Sequence, residues 1–466
     1  MIFETDLLVI GAGPGGYVAS LYAAKKGLKV TLIEKRFIGG TCLNIGCIAT
    51  KAFAKSASLF HEMKHSVQFG IHSTDLIPDM ALIQERKQAI VTQLVGGVEY
   101  LLKNQSVDVI RGSASFIDNE TVSVKTEEGT QTYKAKHIII ATGSKVKRLP
   151  IEGNSLPVVF DSEKLLSLTK IPSSMMIVGG GIIGMEFAFI FGMLGTKVTV
   201  LEAMPQILPM VDKDITMRLM RFAKAANISL STNAFVNKYA MTEEGLAQVH
   251  YRHNDEDKVV TGEFILEAIG RGPQTEGLGL ENTTIALNKD RTIAVDDTLK
   301  TSVAHIYAIG DVTGKMQLAH VASHQGISAV DALLGNPHPL HYDQIPSVIF
   351  THPVIATIGL SESCLKAQEI PYHLAKVPGT ANGKALIDDE GMGVVKLFED
   401  PVTKHLIGAQ ILGMDAENLI GILGLAIQNK LTAEDLKKTI FAHPTTSELI
   451  HEAGLGLLGE AIHYAD

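Results

Sequence analysis

The stretch Asp6-Leu7-Leu8-Val9-Ile10-Gly11-Ala12-Gly13-Pro14-Gly15-Gly16, DLLVIGAGPGG, decides the fold. Asp6 to Ile10 reads as a short apolar strand, and Tyr17 to Lys26 continues as a helix after the glycines. Lys29 to Ile33 is a second strand ending at Glu34. In such a unit Gly11 allows a tight turn, Gly13 lets the backbone approach a pyrophosphate, and Gly16 lets helix and strand pack closely. The helix N-terminus faces the phosphates, and Glu34 is placed to accept from ribose hydroxyls.

The pattern returns downstream. Met175 to Val178 is a strand, Gly179-Gly180-Gly181-Ile182-Ile183-Gly184 is the turn, and Met185 to Leu194 is a helix. Lys197 to Leu201 is a strand ending at Glu202, so the chain is expected to hold two dinucleotides. Glu202 disfavours a 2′-phosphate, and Ala203 to Leu208 carry no Arg or Lys to accept one, so the second site reads as NAD rather than NADP. Three further strand-to-turn junctions follow: Lys136–Ala141 into Thr142-Gly143-Ser144, Phe264–Ile269 into Gly270-Arg271, and His305–Ile309 into Gly310-Asp311. Asp311 at such a turn suits the sugar-like chain of a flavin. Thr121–Val124, Gln131–Tyr133 and Leu246–Tyr251 read as small antiparallel excursions, and Met80–Lys103 as a long helix. From about Leu340 the texture becomes that of an antiparallel sheet followed by helices from about Asp415 and Thr432.

Composition sets the outer limits. The chain has 466 residues, 46% hydrophobic and 20% charged, with net charge -9, as expected of a globular protein and not of a nucleic-acid binder. No uninterrupted apolar run is long enough to span a bilayer, and the N-terminus lacks the basic region and cleavage site of a signal peptide. Three cysteines do not make a secreted disulfide scaffold, so a cytoplasmic location is expected, without membrane insertion.

Two of those cysteines, Cys42 and Cys47, lie in GGTCLNIGCIATK (39–51) ahead of an expected helix at Lys51–Phe60. The third, Cys364, is isolated, so a structural zinc or an iron–sulfur cluster lacks ligands and no metal is expected. A redox pair beside two dinucleotide folds has a clear logic, because a flavin exchanges electron pairs with both thiols and nicotinamide. Thiol protons then need a base. His443 is one of 17 histidines, distinguished by Pro444 beside it and Glu448 five residues on.

Taken together, these blocks resemble the flavin-dependent pyridine nucleotide–disulfide oxidoreductases, over essentially the whole chain. The resemblance rests on GAGPGG (11–16), GGTCLNIGC (39–47), ATGS (141–144), GGGIIGMEFA (179–188), AIGD (308–311), LAH (318–320), IPSVIFTHP (345–353) and AHPTTSE (442–448). Within the family, the branch that oxidises protein-bound dihydrolipoamide is most similar. The resemblance implies an α/β fold with two Rossmann-like, three-layer dinucleotide-binding domains and a C-terminal α+β dimerisation domain. Residues 1–150 would bind FAD and carry the redox disulfide, 151–270 would bind NAD, 271–342 would complete the FAD domain, and 343–466 would form the dimer interface.

It also implies roles. Cys42 would meet the substrate disulfide, and Cys47 would lie against the flavin as its charge-transfer thiolate. Lys51 and Glu186 would pair beside the flavin ring, Asp311 would hold the ribityl chain, and Met316 to His320 (with Leu318 and Ala319) would pack near it. His443 from the partner subunit would be the acid–base residue, oriented by Glu448. The partners would be a second copy of the chain, sharing the active site, and a lipoylated acyltransferase (E2) or other lipoyl carrier. Ala49-Thr50 stands where the family usually has Pro-Ser or Pro-Thr, and Arg271-Gly272-Pro273-Gln274 departs from a common pattern; neither departure is expected to touch the chemistry. Rival readings are a glutathione-type or mercuric-type reductase, and a non-enzymatic flavoprotein scaffold. The missing basic residues after Glu202 and the lack of any Cys beyond Cys364 oppose the first two, and the full set of chemical residues opposes the third.

Overall fold

The computed structural model describes residues 2–465. Its mixed α/β architecture is built on three large sheets. The first has seven strands, with a parallel centre in the order Asp108–Arg111, Val30–Glu34, Ile2–Ile10 and Gly129–Ile140. Ile306–Ala308 returns from far along the chain to pair with Gly129–Ile140, so residues near 310 end up beside the first glycine turn. Leu7, Leu8 and Val9 are fully buried, as expected of a parallel strand covered on both faces.

The second sheet is five-stranded and parallel, ordered Ile228–Ser231, Lys197–Leu201, Ser174–Val178, Phe264–Glu267 and Val159–Phe160. Its glycine turn opens the helix Ile182–Met193, whose residues from Gly184 on are all buried. Phe187, Phe189 and Phe191 place about three aromatic side chains' worth of apolar surface between this sheet and the Cys47–Lys64 helix. That packing accounts for the apolar stretch over residues 182–191 as core. Among the described residues no helix is long and apolar enough to cross a membrane.

The third sheet is antiparallel, ordered Ser347–Ile349, Ile355–Gly359, Leu406–Leu412, Val394–Glu399 and His373–Pro378. Helices Ala416–Gln428 and Glu448–Leu457 pack on it through Leu419, Leu423, Leu449 and Ile450.

Three local expectations change. Gln131–Tyr133 and Lys136–Ala141 are not separate strands but one twelve-residue strand, Gly129–Ile140, antiparallel to Thr121–Thr126 at its start and parallel to Ile2–Ile10 from Thr132 on. Lys134 and Lys136 interrupt the apolar run, yet the same register continues on both sides of them. The helix expected from Lys51 starts at Cys47, where Gly46 breaks the chain after a short helix over Gly40–Ile45. The strand His373–Pro378 went unread because its short run, broken by Lys376 and ended by Pro378, gives a weak pattern.

Candidate active site

The two glycine turns are built alike. Gly11 and Gly179 have φ of 105° and 110°, and a Cβ on either would come 2.4 Å from the carbonyl oxygen of Ala141 or Ala268. A Cβ on Gly16 or Gly184 would sit 1.8 or 1.9 Å from the oxygen of Gly11 or Gly179, so both must be glycine for helix and turn to meet. A Cβ on Gly13 or Gly181, by contrast, would meet nothing within 4 Å. These are the N-caps of Pro14–Lys25 and Ile182–Met193, and neither helix has a side-chain cap, so unpaired N–H groups face the open space. The cradle a pyrophosphate needs is present twice.

The acids behind the turns do more than expected. Glu34 accepts from Ala12 N at 2.7 Å, Arg36 N at 2.6 Å and Phe37 N at 3.1 Å. Glu202 accepts from Gly180 N at 2.5 Å and Met204 N at 2.7 Å. Each carboxylate fastens its own glycine turn, and Glu34 keeps fewer free acceptor sites for a ribose than Glu202.

Both turns open into one cleft of about 1870 Å³, beyond the usual range for one small ligand. Gly11, Gly13, Glu34, Gly143 and Ser144 line it from the first sheet, and Gly179, Gly181, Glu202 and Gly270 from the second. Cys42, Cys47, Lys51 and Glu186 lie along its middle, facing Asp311, Met316, Leu318, Ala319 and His320. Gly16 and Gly184 pack behind the lining. An FAD on one turn and an NAD on the other would approach each other in this shared space.

At Asp311, burial raises the carboxyl above its ordinary range, opposed by Ser144 Oγ donating to Oδ2 at 2.5 Å and by Arg271. Arg271 Nε in turn donates to Ser144 Oγ at 2.7 Å, and Gln274 lines the cleft, so this segment belongs to the site and is not remote from it. Fully buried Gln325 accepts from Gly310 N at 2.6 Å and donates to Tyr342 Oη at 2.8 Å, which fixes the turn that carries Asp311. Sequence reading missed Gln325, since a Gln inside a helix carries no signal. His320 Nε2 donates to the Pro346 carbonyl oxygen at 2.9 Å, and burial lowers its pKa.

Cys42 and Cys47 are free thiols in the structure, hydrogen-bonded to each other. The bond divides them. Cys42 donates to Cys47, which, helped by the Lys51 ammonium and the Cys47 N–H, brings Cys47 down to about 7 despite burial and Glu186. Cys42, holding the proton and partly buried, is driven strongly upward. Cys47 is also the first residue of its helix, where the N-terminal dipole favours a thiolate. Ala49 is fully buried in the first turn of this helix, a position where proline and alanine are both accommodated.

Lys51 Nζ lies 2.8 and 2.7 Å from the two oxygens of Glu186, which is 4% exposed. The third hydrogen bond to that carboxylate, from Phe350 N at 3.0 Å, was not anticipated.

His443 Nδ1 lies 3.0 Å from Glu448 Oε1, and Thr445 N donates to the other oxygen at 3.0 Å. Although partial burial opposes it, these two bonds hold Glu448 below the ordinary glutamate range. His443 is 79% exposed and does not line the cleft of its own chain. Within one chain the structure therefore does not bring His443 to the cysteines.

The model of the pyridine nucleotide-disulphide oxidoreductase family matches residues 5–326, and that of its dimerisation domain matches residues 345–454. The chain belongs to the pyridine nucleotide-disulphide oxidoreductases. Curated relatives include the dihydrolipoyl dehydrogenase of Geobacillus stearothermophilus, 41% identical over 99% of this chain and 97% of the relative. That of Bacillus subtilis is 40% identical over 99% and 98%. Among solved structures, LpdA of Mycobacterium tuberculosis superposes with a TM-score of 0.90 at 29% identity, over 96% of this chain and 99% of the other. The flavoprotein disulfide reductase RclA of Escherichia coli gives 0.88 at 31% identity, over 97% and 99%. The family's dimerisation domain makes this oxidoreductase a homodimer.

Proposed function

We propose that the protein is an FAD-containing, NAD-dependent dihydrolipoyl dehydrogenase, oxidising carrier-bound dihydrolipoamide to lipoamide. The observation that carries this reading is the unequal cysteine pair beside the Lys51–Glu186 ion pair, in a cleft fed by two dinucleotide turns. Full-length identity to dihydrolipoyl dehydrogenases supports the choice of substrate. We assign residues 1–150 and 271–342 to FAD, 151–270 to NAD, and 343–466 to dimerisation.

Bound FAD supplies two-electron exchange between a dithiol and nicotinamide. The chain's own residues manage the sulfur chemistry. A substrate thiolate attacks Cys42 Sγ of the Cys42–Cys47 disulfide; the S–S bond breaks and Cys47 leaves as thiolate. A leaving thiol of low pKa departs faster, and Lys51 and the helix N-terminus supply that stabilisation. His443 of the partner subunit, oriented by its Glu448, takes up the substrate proton. The second substrate thiol then attacks the substrate sulfur of the mixed disulfide; lipoamide's S–S bond forms, the bond to Cys42 breaks, and Cys42 leaves and takes up a proton, so the protein is left as the dithiol. The dithiol's electron pair ends on NAD, giving NADH and a proton and restoring the disulfide. Because Cys42 holds its proton strongly in the dithiol, a base beside it is needed, which is the task assigned to the partner's His443.

The lipoyl group would arrive on an E2 acyltransferase or another carrier. A cytoplasmic location follows from that partner and from a thiol pair that must cycle. Purified protein assayed with dihydrolipoamide and NAD, and separately with NADPH and glutathione disulfide, tests the assignment. Turnover in the first pair is expected; turnover only in the second contradicts it.

A further inference from the structure

Phe350 follows directly on the Ser347–Ile349 strand of the third sheet, yet it reaches the middle of the cleft. Its N–H donates to Glu186 Oε1 at 3.0 Å, and its ring centre lies 4.8 Å from Lys51 Nζ, within cation–π range. Three separate parts of the chain thus meet at one ammonium: the Cys47–Lys64 helix, the Ile182–Met193 helix and the third sheet.

The location of that ammonium matters. Lys51 and Glu186 act on Cys47 with opposite sign, so their net influence is a difference between two competing interactions. A small shift of Nζ relative to the carboxylate changes that difference. Glu186 is nearly immobile, buried and held by the Phe350 N–H, whereas Lys51 has a long flexible stem that is 30% exposed. The ammonium thus has two neighbours that limit its position, the Glu186 carboxylate at 2.7 Å and the Phe350 ring at 4.8 Å.

We propose that Phe350 is a positioning residue, through which the third sheet fixes the Lys51 ammonium against the Cys47 thiolate. The inference rests on the reading of Cys47 as the flavin-side thiol. The charged and titratable groups facing Cys47 are Cys42, Lys51 and Glu186, with Asp311 acting on Cys42 from the opposite wall.

The test uses the dimeric holoenzyme, reduced by two electrons and titrated downward in pH while its long-wavelength absorbance is followed. That band requires the Cys47 thiolate and is lost as Cys47 takes up a proton. In the wild type the loss is expected near pH 7. Phe350→Leu and Phe350→Met remove the aromatic face and should move the midpoint up by about half a unit, because Lys51 then lowers Cys47 less. Phe350→Tyr keeps the face and should titrate like the wild type. A purely structural role would leave all midpoints together. A normal band with unmoved midpoints in both Leu and Met variants overturns this inference alone; a wild type without the band overturns it together with the reading beneath it.

Discussion

Cys42 and Cys47 act on each other unequally: their contact lowers the Cys47 thiol and raises that of Cys42. Two identical side chains become a proton-holding thiol and a stabilised thiolate through one hydrogen bond, one ammonium and a helix start. The sign of the pH dependence follows. Cys47 titrates near 7, below its ordinary 9, so its thiolate is present above that pH and lost as pH falls through it. Iodoacetamide pulses on the reduced protein, with peptide mapping across about pH 5 to 9, should give a Cys47 midpoint near 7. Because the bond from Cys42 is the largest lowering influence, Cys42→Ala should move that midpoint upward. An unchanged midpoint would contradict the division of labour. The cysteines were legible in the sequence because their residue type and spacing carry the chemistry, whereas the Lys51–Glu186 pair was implied only by the family resemblance. Phe350 and Gln325 were not: one acts through a backbone N–H and a ring face, the other through an amide buried inside a helix.

The glycine turns are the elements on which both cofactors would rest, and in each the glycines do separate jobs. Gly184→Ala would drive a methyl into the Gly179 carbonyl and should break the second turn while sparing the first. A rise of at least about tenfold in KM for NAD, with FAD content unchanged, is expected from steady-state kinetics and absorbance. Equal loss of FAD would show that the turns are not independent. Strand–turn–helix order was readable from the glycines, whereas the binding of each turn by its own acid depends on side-chain direction, which spacing does not encode.

A second element-level feature lies between the second and third sheets. Fully buried Lys396 bonds Asp212 at 2.8 Å, Asp214 at 3.1 Å and Glu362 at 2.6 Å. The three carboxylates form the acidic cluster most suggestive of a cation site, and Lys396 already supplies its positive charge. Lys396→Met preserves volume but leaves Asp212, 3% exposed, without its counter-charge. A loss of about 3 kcal/mol in urea unfolding is expected, and a neutral effect would show that the network relaxes at little cost.

At the scale of the whole molecule, the His443–Glu448 pair is assembled but faces away from its own cleft. In a homodimer sharing its sites, each cleft needs cysteines from one chain and histidine from the other. Co-expression of Cys47→Ser with His443→Gln should therefore restore activity that neither variant has alone. Random pairing gives half heterodimers, each with one intact site, or roughly a quarter of wild-type activity. No recovery would place His443 and the cysteines in the same chain's site. The dimer-dependent geometry was beyond spacing arguments; only the resemblance implied it, since residues 47 and 443 lie in different parts of the chain.

In the proposed mechanism electrons from dihydrolipoamide have one route to NAD, the Cys42–Cys47 pair. That route is tested most directly by comparing wild type and Cys47→Ser for NADH formation from dihydrolipoamide, with NADH-driven ferricyanide reduction as the control for the nucleotide sites. The account predicts dihydrolipoamide turnover lost by a factor of at least about a thousand, with the control reaction retained. Full dihydrolipoamide turnover by Cys47→Ser would contradict it.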